Sequence, residues 1–214
     1  CALPISATSK IHGIKLGALD LELYANYGFD SKAEESEDRL KAWQGAFVLS
    51  HTNDHGVNKV IARYSDNSDN SVYSKTEGLS TVYTSFEGKH LFSPQAQVEY
   101  LLGYHDYDNS RLKSDNRKNY AAIVRPMYFW NDVHSTWLEA GYQRVNYDEG
   151  GSNHGWKLTL SQNIAIAMGP EFRPMLRFYV TGGKVDNART ARVNGRENEI
   201  LDDFNLGAMW EAWF

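Results

Sequence analysis

Counting back from the end of the chain, every second residue is apolar: Phe214, Ala212, Trp210, Ala208 and Leu206, with Trp213, Glu211, Met209 and Gly207 between them. A strand points successive side chains to opposite faces, so this segment has one greasy face and one face that carries a carboxylate. The same alternation recurs upstream. Leu19, Leu21, Leu23, Ala25, Tyr27 and Phe29 oppose Asp20, Glu22, Tyr24, Asn26 and Gly28, and Ala96, Val98, Tyr100, Leu102 and Tyr104 oppose Gln97, Glu99, Leu101, Gly103 and His105. Further on, Trp156, Leu158, Leu160, Ile164 and Ile166 oppose Lys157, Thr159, Ser161 and Asn163, and Leu176, Phe178 and Val180 oppose Arg177, Tyr179 and Thr181.

The pattern predicts roughly eleven strands, most of nine residues or more, longer than the five or six usual in a soluble sheet and suited to a tilted membrane strand. Predicted strands cover residues 10–16, 19–29, 44–52, 57–64, 79–86, 95–107, 119–130, 135–145, 155–167 and 173–185, followed by the terminal segment. Short turns alternate with long polar loops, among them 30–41, 65–78, 108–118 and 186–199. Short turns at one end and long loops at the other mark an outer-membrane barrel. The fold predicted is therefore all-β, a portion of an antiparallel transmembrane β-barrel; a soluble β-sandwich is the alternative.

Composition narrows the picture. Apolar residues make up 42% of the chain while Tyr (13) and Trp (6) are plentiful, as expected where only alternate residues meet lipid. No run of 18 apolar residues occurs, so a transmembrane helix is excluded. A net charge of −5 argues against a nucleic-acid partner. Cys1 is the sole cysteine, which excludes an intrachain disulfide and a thiolate metal site. The odd strand count, where single-chain barrels are even, and a start at Cys1 without an initiator Met or signal segment lead to one expectation. Residues 1–214 are read as the C-terminal part of a single barrel domain whose N-terminal half and signal peptide are absent.

Candidate chemistry lies on the polar parity. Asp20, Glu22, Glu99, Glu139 and Glu211 share it with Lys59, Arg63, Arg125, Lys157, Arg173 and Arg177. The signs nearly balance, unlike the single-sign ring of an ion-selective pore, and such groups donate and accept hydrogen bonds to sugar hydroxyls. Trp213, Tyr24 and Tyr179 add aromatic rings on which the C–H face of a pyranose can lie. The expected channel-lining set is thus Trp213, Glu211, Arg177, Arg125, Glu139, Tyr179 and Tyr24. No catalytic, metal or cofactor site is expected: the histidines sit mainly in turns and loops, no G-x-S-x-G elbow occurs, and SDNSDNS lacks the Gly and Glu of a calcium loop.

The stretches VRPMYFW (124–130), STWLEAGY (135–142), WKLTLSQ, RPMLRF and the terminal GAMWEAWF, in that order and spacing, resemble the C-terminal half of the maltoporin-type sugar porins. The ending WEAWF and the loops look closest to the cryptic β-glucoside branch. The resemblance implies an eighteen-stranded, up-and-down, homotrimeric barrel in the outer membrane, surrounded by its lipid. This chain would supply about eleven of those strands, and sugars would pass by facilitated diffusion along a strip of aromatics flanked by charged residues. Within that likeness Trp213 matches a slide aromatic, whereas Val57 and Val185 stand where the family has slide aromatics. General diffusion and a soluble all-β carbohydrate-binding module are the competing functions.

Overall fold

The computed structural model describes residues 4–30, 40–166, 174–195 and 200–212. It contains one antiparallel sheet of eleven strands in sequential order. These are β1 (Pro4–Leu16), β2 (Leu19–Asp30), β3 (Lys41–Asn53), β4 (Gly56–Ser68), β5 (Lys75–Ser93) and β6 (Ala96–Asn109). They continue as β7 (Arg117–Phe129), β8 (His134–Tyr147), β9 (Ser152–Ala165), β10 (Met175–Asp186) and β11 (Ile200–Glu211). A six-residue helix, α1 (Ala188–Val193), lies between β10 and β11. This is the up-and-down wall of a partial β-barrel, in the strand number that the alternation predicts.

Register keeps one chemistry on each face. Leu23 pairs with Ile11 and Phe47, and Leu160 pairs with Leu138 and Val180, so apolar residues stay in rows across the sheet. In β1 the register shifts between Ile11 and Ile14, where Gly13 takes a φ of 82°. The shift changes parity, so Ile11, Ile14 and Leu16 all remain on the apolar side.

Burial is inverted relative to a soluble protein. Apolar-face residues are open, Leu206 at 77% and Leu160 at 47% exposure, whereas the polar-face residues Ser65, Thr81, Gln97 and Asn163 are buried. The buried apolar cluster, Met127, Phe129, Trp137 and Met175, sits on the polar face near the turns. Such a continuous exposed apolar face fits hydrocarbon as its solvent.

Several strands, β3 to β8 among them, are longer than the sequence predicts. β5 runs on to Ser93, because Glu87 and Lys89, which read as a connection, occupy polar-face positions of a paired strand. Asp66, Asp108 and Asn109 likewise remain in the ladder, so the connections at 69–74 and 110–116 are short. The 148–151 connection, also at the loop end, has four residues.

Leu160→Arg in the full-length protein is expected to lower stability in lipid vesicles by roughly 2–4 kcal/mol, the cost of a guanidinium near mid-bilayer. Thr159→Arg, one residue away on the polar face, should cost far less. Urea titration of vesicle-bound protein separates the two.

Candidate functional site

The wetted face of β6 to β9 carries an ionic ladder one side chain deep. Arg125 lies opposite Glu99 in the β6–β7 register, and its Nη1 is 2.9 Å from Glu99 Oε2. Its Nε donates to Glu139 Oε2 at 3.0 Å, and Nη2 reaches the same oxygen. Lys157 Nζ then lies 3.0 Å from Glu139 Oε1, which extends the chain of charges over four strands. Pro126 has no N–H to donate, and the β7–β8 ladder is interrupted between Val124 and Met127 without a change of register. The Arg125–Glu139 pair bridges the strands at that interruption.

A second charged pair lies toward the turns. Arg177 Nε donates to Asn163 Oδ1 at 2.9 Å, and Nη2 is 3.2 Å from Glu211 Oε2. Its guanidinium sits 4.5 Å from the centre of the Trp137 ring, and that of Arg125 lies 5.9 Å from the same ring. Arg125, Trp137, Glu139, Lys157, Arg177 and Tyr179 together line a recess of about 310 Å³. Ion pairs that are partly open to solvent, as these are, each contribute on the order of 1 kcal/mol to stability. Their larger effect is to hold alternating donors and acceptors in fixed directions over an aromatic base.

Of the residues expected to line a channel, Arg125, Glu139, Arg177, Tyr179 and Glu211 come together here. Tyr24 does not: on β2 its hydroxyl donates to Glu22 Oε2 at 2.5 Å, and Lys10 lies 5.2 Å over its ring. Trp213 and Arg173 lie outside the described residues. Trp137 was not foreseen, although it shares the parity of Glu139. Val57 and Val185 fall on the polar parity of β4 and β10. A larger concavity, about 580 Å³, is bordered on the apolar face by Leu160, Phe178, Val180, Leu206 and Ala208, away from this chemistry.

At the loop end, the 69–74 connection folds back over the polar face. The Asp69 carbonyl accepts from Gln44 Nε2 at 3.0 Å and from Ser65 Oγ at 3.2 Å. Its carboxylate accepts from Arg63 Nη2 at 3.2 Å and lies 3.0 Å from His105 Nε2. His105 chiefly, with Arg63 and Arg117 adding to it, holds the Asp69 carboxyl below its ordinary value. The Val72 carbonyl oxygen sits where a Cβ on Gly28 would come within 2.1 Å, so β2 needs a glycine there.

Comparison with known proteins agrees with this architecture. A model of the LamB porin family matches residues 5–214. A maltoporin of Hahella chejuensis (strain KCTC 2396) is 30% identical over 231 residues, covering 96% of this chain and 53% of its own length. The chain thus spans about half the length of the curated relative it matches.

A lowered carboxyl value means that the stabilisation Asp69 gives the folded-back loop is complete above about pH 3.9, the ordinary carboxylate value. It is lost as pH falls through the lower native value. The protection factors of residues 69–74, exchange rates taken relative to the intrinsic rate at each pH, should accordingly hold down to that value and fall below it. Gly28→Val should free the loop at every pH, seen as faster exchange of the same segment.

Proposed function

The chain belongs to the LamB porin family, and from that premise we propose that it forms part of a carbohydrate-selective outer-membrane channel. Residues 1–214 are then a portion of one porin barrel domain of eighteen strands, assembled as a homotrimer with its apolar face in the lipid of the outer membrane. Oligosaccharides or β-glucosides cross it by facilitated diffusion and leave unaltered, so the protein acts as a channel and not as an enzyme.

The observation that carries this reading is the recess in which Arg125, Glu139, Lys157 and Arg177 alternate in sign around Trp137 and Tyr179. A sugar presents hydroxyls around its rim and C–H groups on its faces. Carboxylates accept from the hydroxyls, while guanidinium and ammonium groups donate to them. Because cations and carboxylates neutralise one another, no ion is held tightly. A neutral sugar exchanges water contacts for equivalent ones and is not trapped. Tyr179, on the same face one pair step from Arg177, offers the apolar platform.

General diffusion is the second reading, and Val57 and Val185 favour it, since the inner face has aliphatic side chains where sugar porins of this family have aromatics.

Single-channel recording of the full-length protein in a planar bilayer tests the proposal. Malto-oligosaccharides or β-glucosides should interrupt the ion current in a concentration-dependent way, and Arg177→Ala should weaken that block about tenfold, the worth of one charge-assisted hydrogen bond. Current that no sugar interrupts would leave a general diffusion pore.

A further inference from the structure

A second recess lies on the same face nearer the loops. Glu99 and His105 are six residues apart on β6, which separates the two recesses by about 20 Å at roughly 3.4 Å per residue. The second has a volume of about 320 Å³, and its lining includes Tyr83, His105, Arg117, Asn119, Gln143 and Tyr147. All six are polar-parity residues of β5, β6, β7 and β8.

Its floor is bare. Gly103 and Ala121 are register partners, and a Cβ on Gly103 would still lie 3.8 Å from that of Ala121, so a ligand can approach the sheet backbone there. Two tyrosines stand at its sides, each with a guanidinium near its ring: Arg63 lies 5.2 Å from the centre of Tyr83 and Arg189 5.1 Å from that of Tyr147. At its border Arg117 pairs with Asp115, while Arg144 donates to the neutral Asn146 Oδ1 at 2.8 Å.

Hydrogen bonding at the recess is incomplete: among the described residues two of its buried atoms, Asn119 Oδ1 and His105 Nε2, have no hydrogen-bond partner, the latter lying against Asp69. Asn119 Oδ1 is buried and accepts no hydrogen bond from the described residues, while its Nδ2 lies 3.4 Å from His105 Nδ1. A buried acceptor without a donor is costly, and a ligand hydroxyl or a water in the recess would supply one. The exposed amide of Gln143 can both donate and accept.

We propose that this recess is a second carbohydrate site, met first by a sugar arriving from the loop side. A neutral pyranose lies over Gly103 and Ala121 beside Tyr83 and Tyr147, donates a hydroxyl to Asn119 Oδ1 and exchanges hydrogen bonds with Gln143. A cavity of this size is at the small end of ligand pockets and suits one or two rings. An acceptor such as Asn119 Oδ1 takes a hydroxyl donor, which a neutral sugar presents and an anionic oxygen does not. Longer oligosaccharides occupy this site and the ionic recess together, which raises their effective local concentration at the deeper one. The proposal rests on the sugar-channel reading above.

Its test is one-sided addition of sugar to the full-length protein in a planar bilayer, with Ala121→Leu to fill the floor and Asn119→Ala to remove the acceptor. The association rate of a long oligosaccharide added from the loop side should fall about tenfold in both variants. A disaccharide should be affected less, and addition from the turn side least. If the unmodified protein is blocked by sugar and both variants match it, the second site is overturned while the channel reading stands. If sugar never blocks the unmodified protein, the channel reading falls and this site falls with it. Should Ala121→Leu fail to assemble, Asn119→Ala, which changes no backbone contact, decides alone.

Discussion

Every backbone N–H and C=O that enters hydrocarbon must find its partner within the protein, because no water is there to replace it. The ten consecutive antiparallel pairings from β1 to β11 meet that demand for both edges of β2 to β10 and for one edge each of β1 and β11. Everything else in the structure follows from how strictly the pairing is kept. Once the ladder is continuous, side chains alternate between two solvents, and the sequence needs only to place greasy residues on one parity and polar residues on the other.

The functional face depends on the same register. A slip of one residue in β7 would carry Arg125 to the lipid side and bring Val124 to the wetted face. Two local features protect against such slips or absorb them. The bulge at Gly13 restores the parity of β1 after an extra residue, and the interruption at Pro126 leaves the numbering of the β7–β8 pairs intact. Side chains of the ionic ladder then brace one another across strands and point their remaining donors and acceptors into open space. These charged groups are thus positioned on strands, and the 69–74 connection folds back over the face from the loop side.

Much of this is legible from alternation alone. Parity places Arg125, Glu139, Arg177 and Tyr179 on one face, because period two is a strong signal over strands of twelve residues or more. Parity carries no information on how far one strand is staggered against the next, so it could not bring Arg125 to Glu139 or separate Tyr24 from both. Trp137 was hidden for a related reason: an inward tryptophan amid inward polar residues resembles a girdle residue until its neighbours Arg177 and Met175 are placed around it. The ends of β5 were missed because Glu87 and Lys89 are as well suited to a wetted strand face as to a loop.

The central claim is that alternate residues of these strands meet lipid and water, and labelling along β9 tests it most directly. In the full-length protein with Cys1 replaced by Ser, Lys157→Cys, Leu158→Cys, Thr159→Cys and Leu160→Cys would each be treated in sealed vesicles with a charged, membrane-impermeant maleimide. A lumen at 157 and 159 and lipid at 158 and 160 predict labelling of the first pair only, with the second pair reacting solely with a lipid-soluble reagent. Equal labelling of all four positions, or labelling of 158 and 160 alone, would contradict the assignment of faces on which the ionic recess depends.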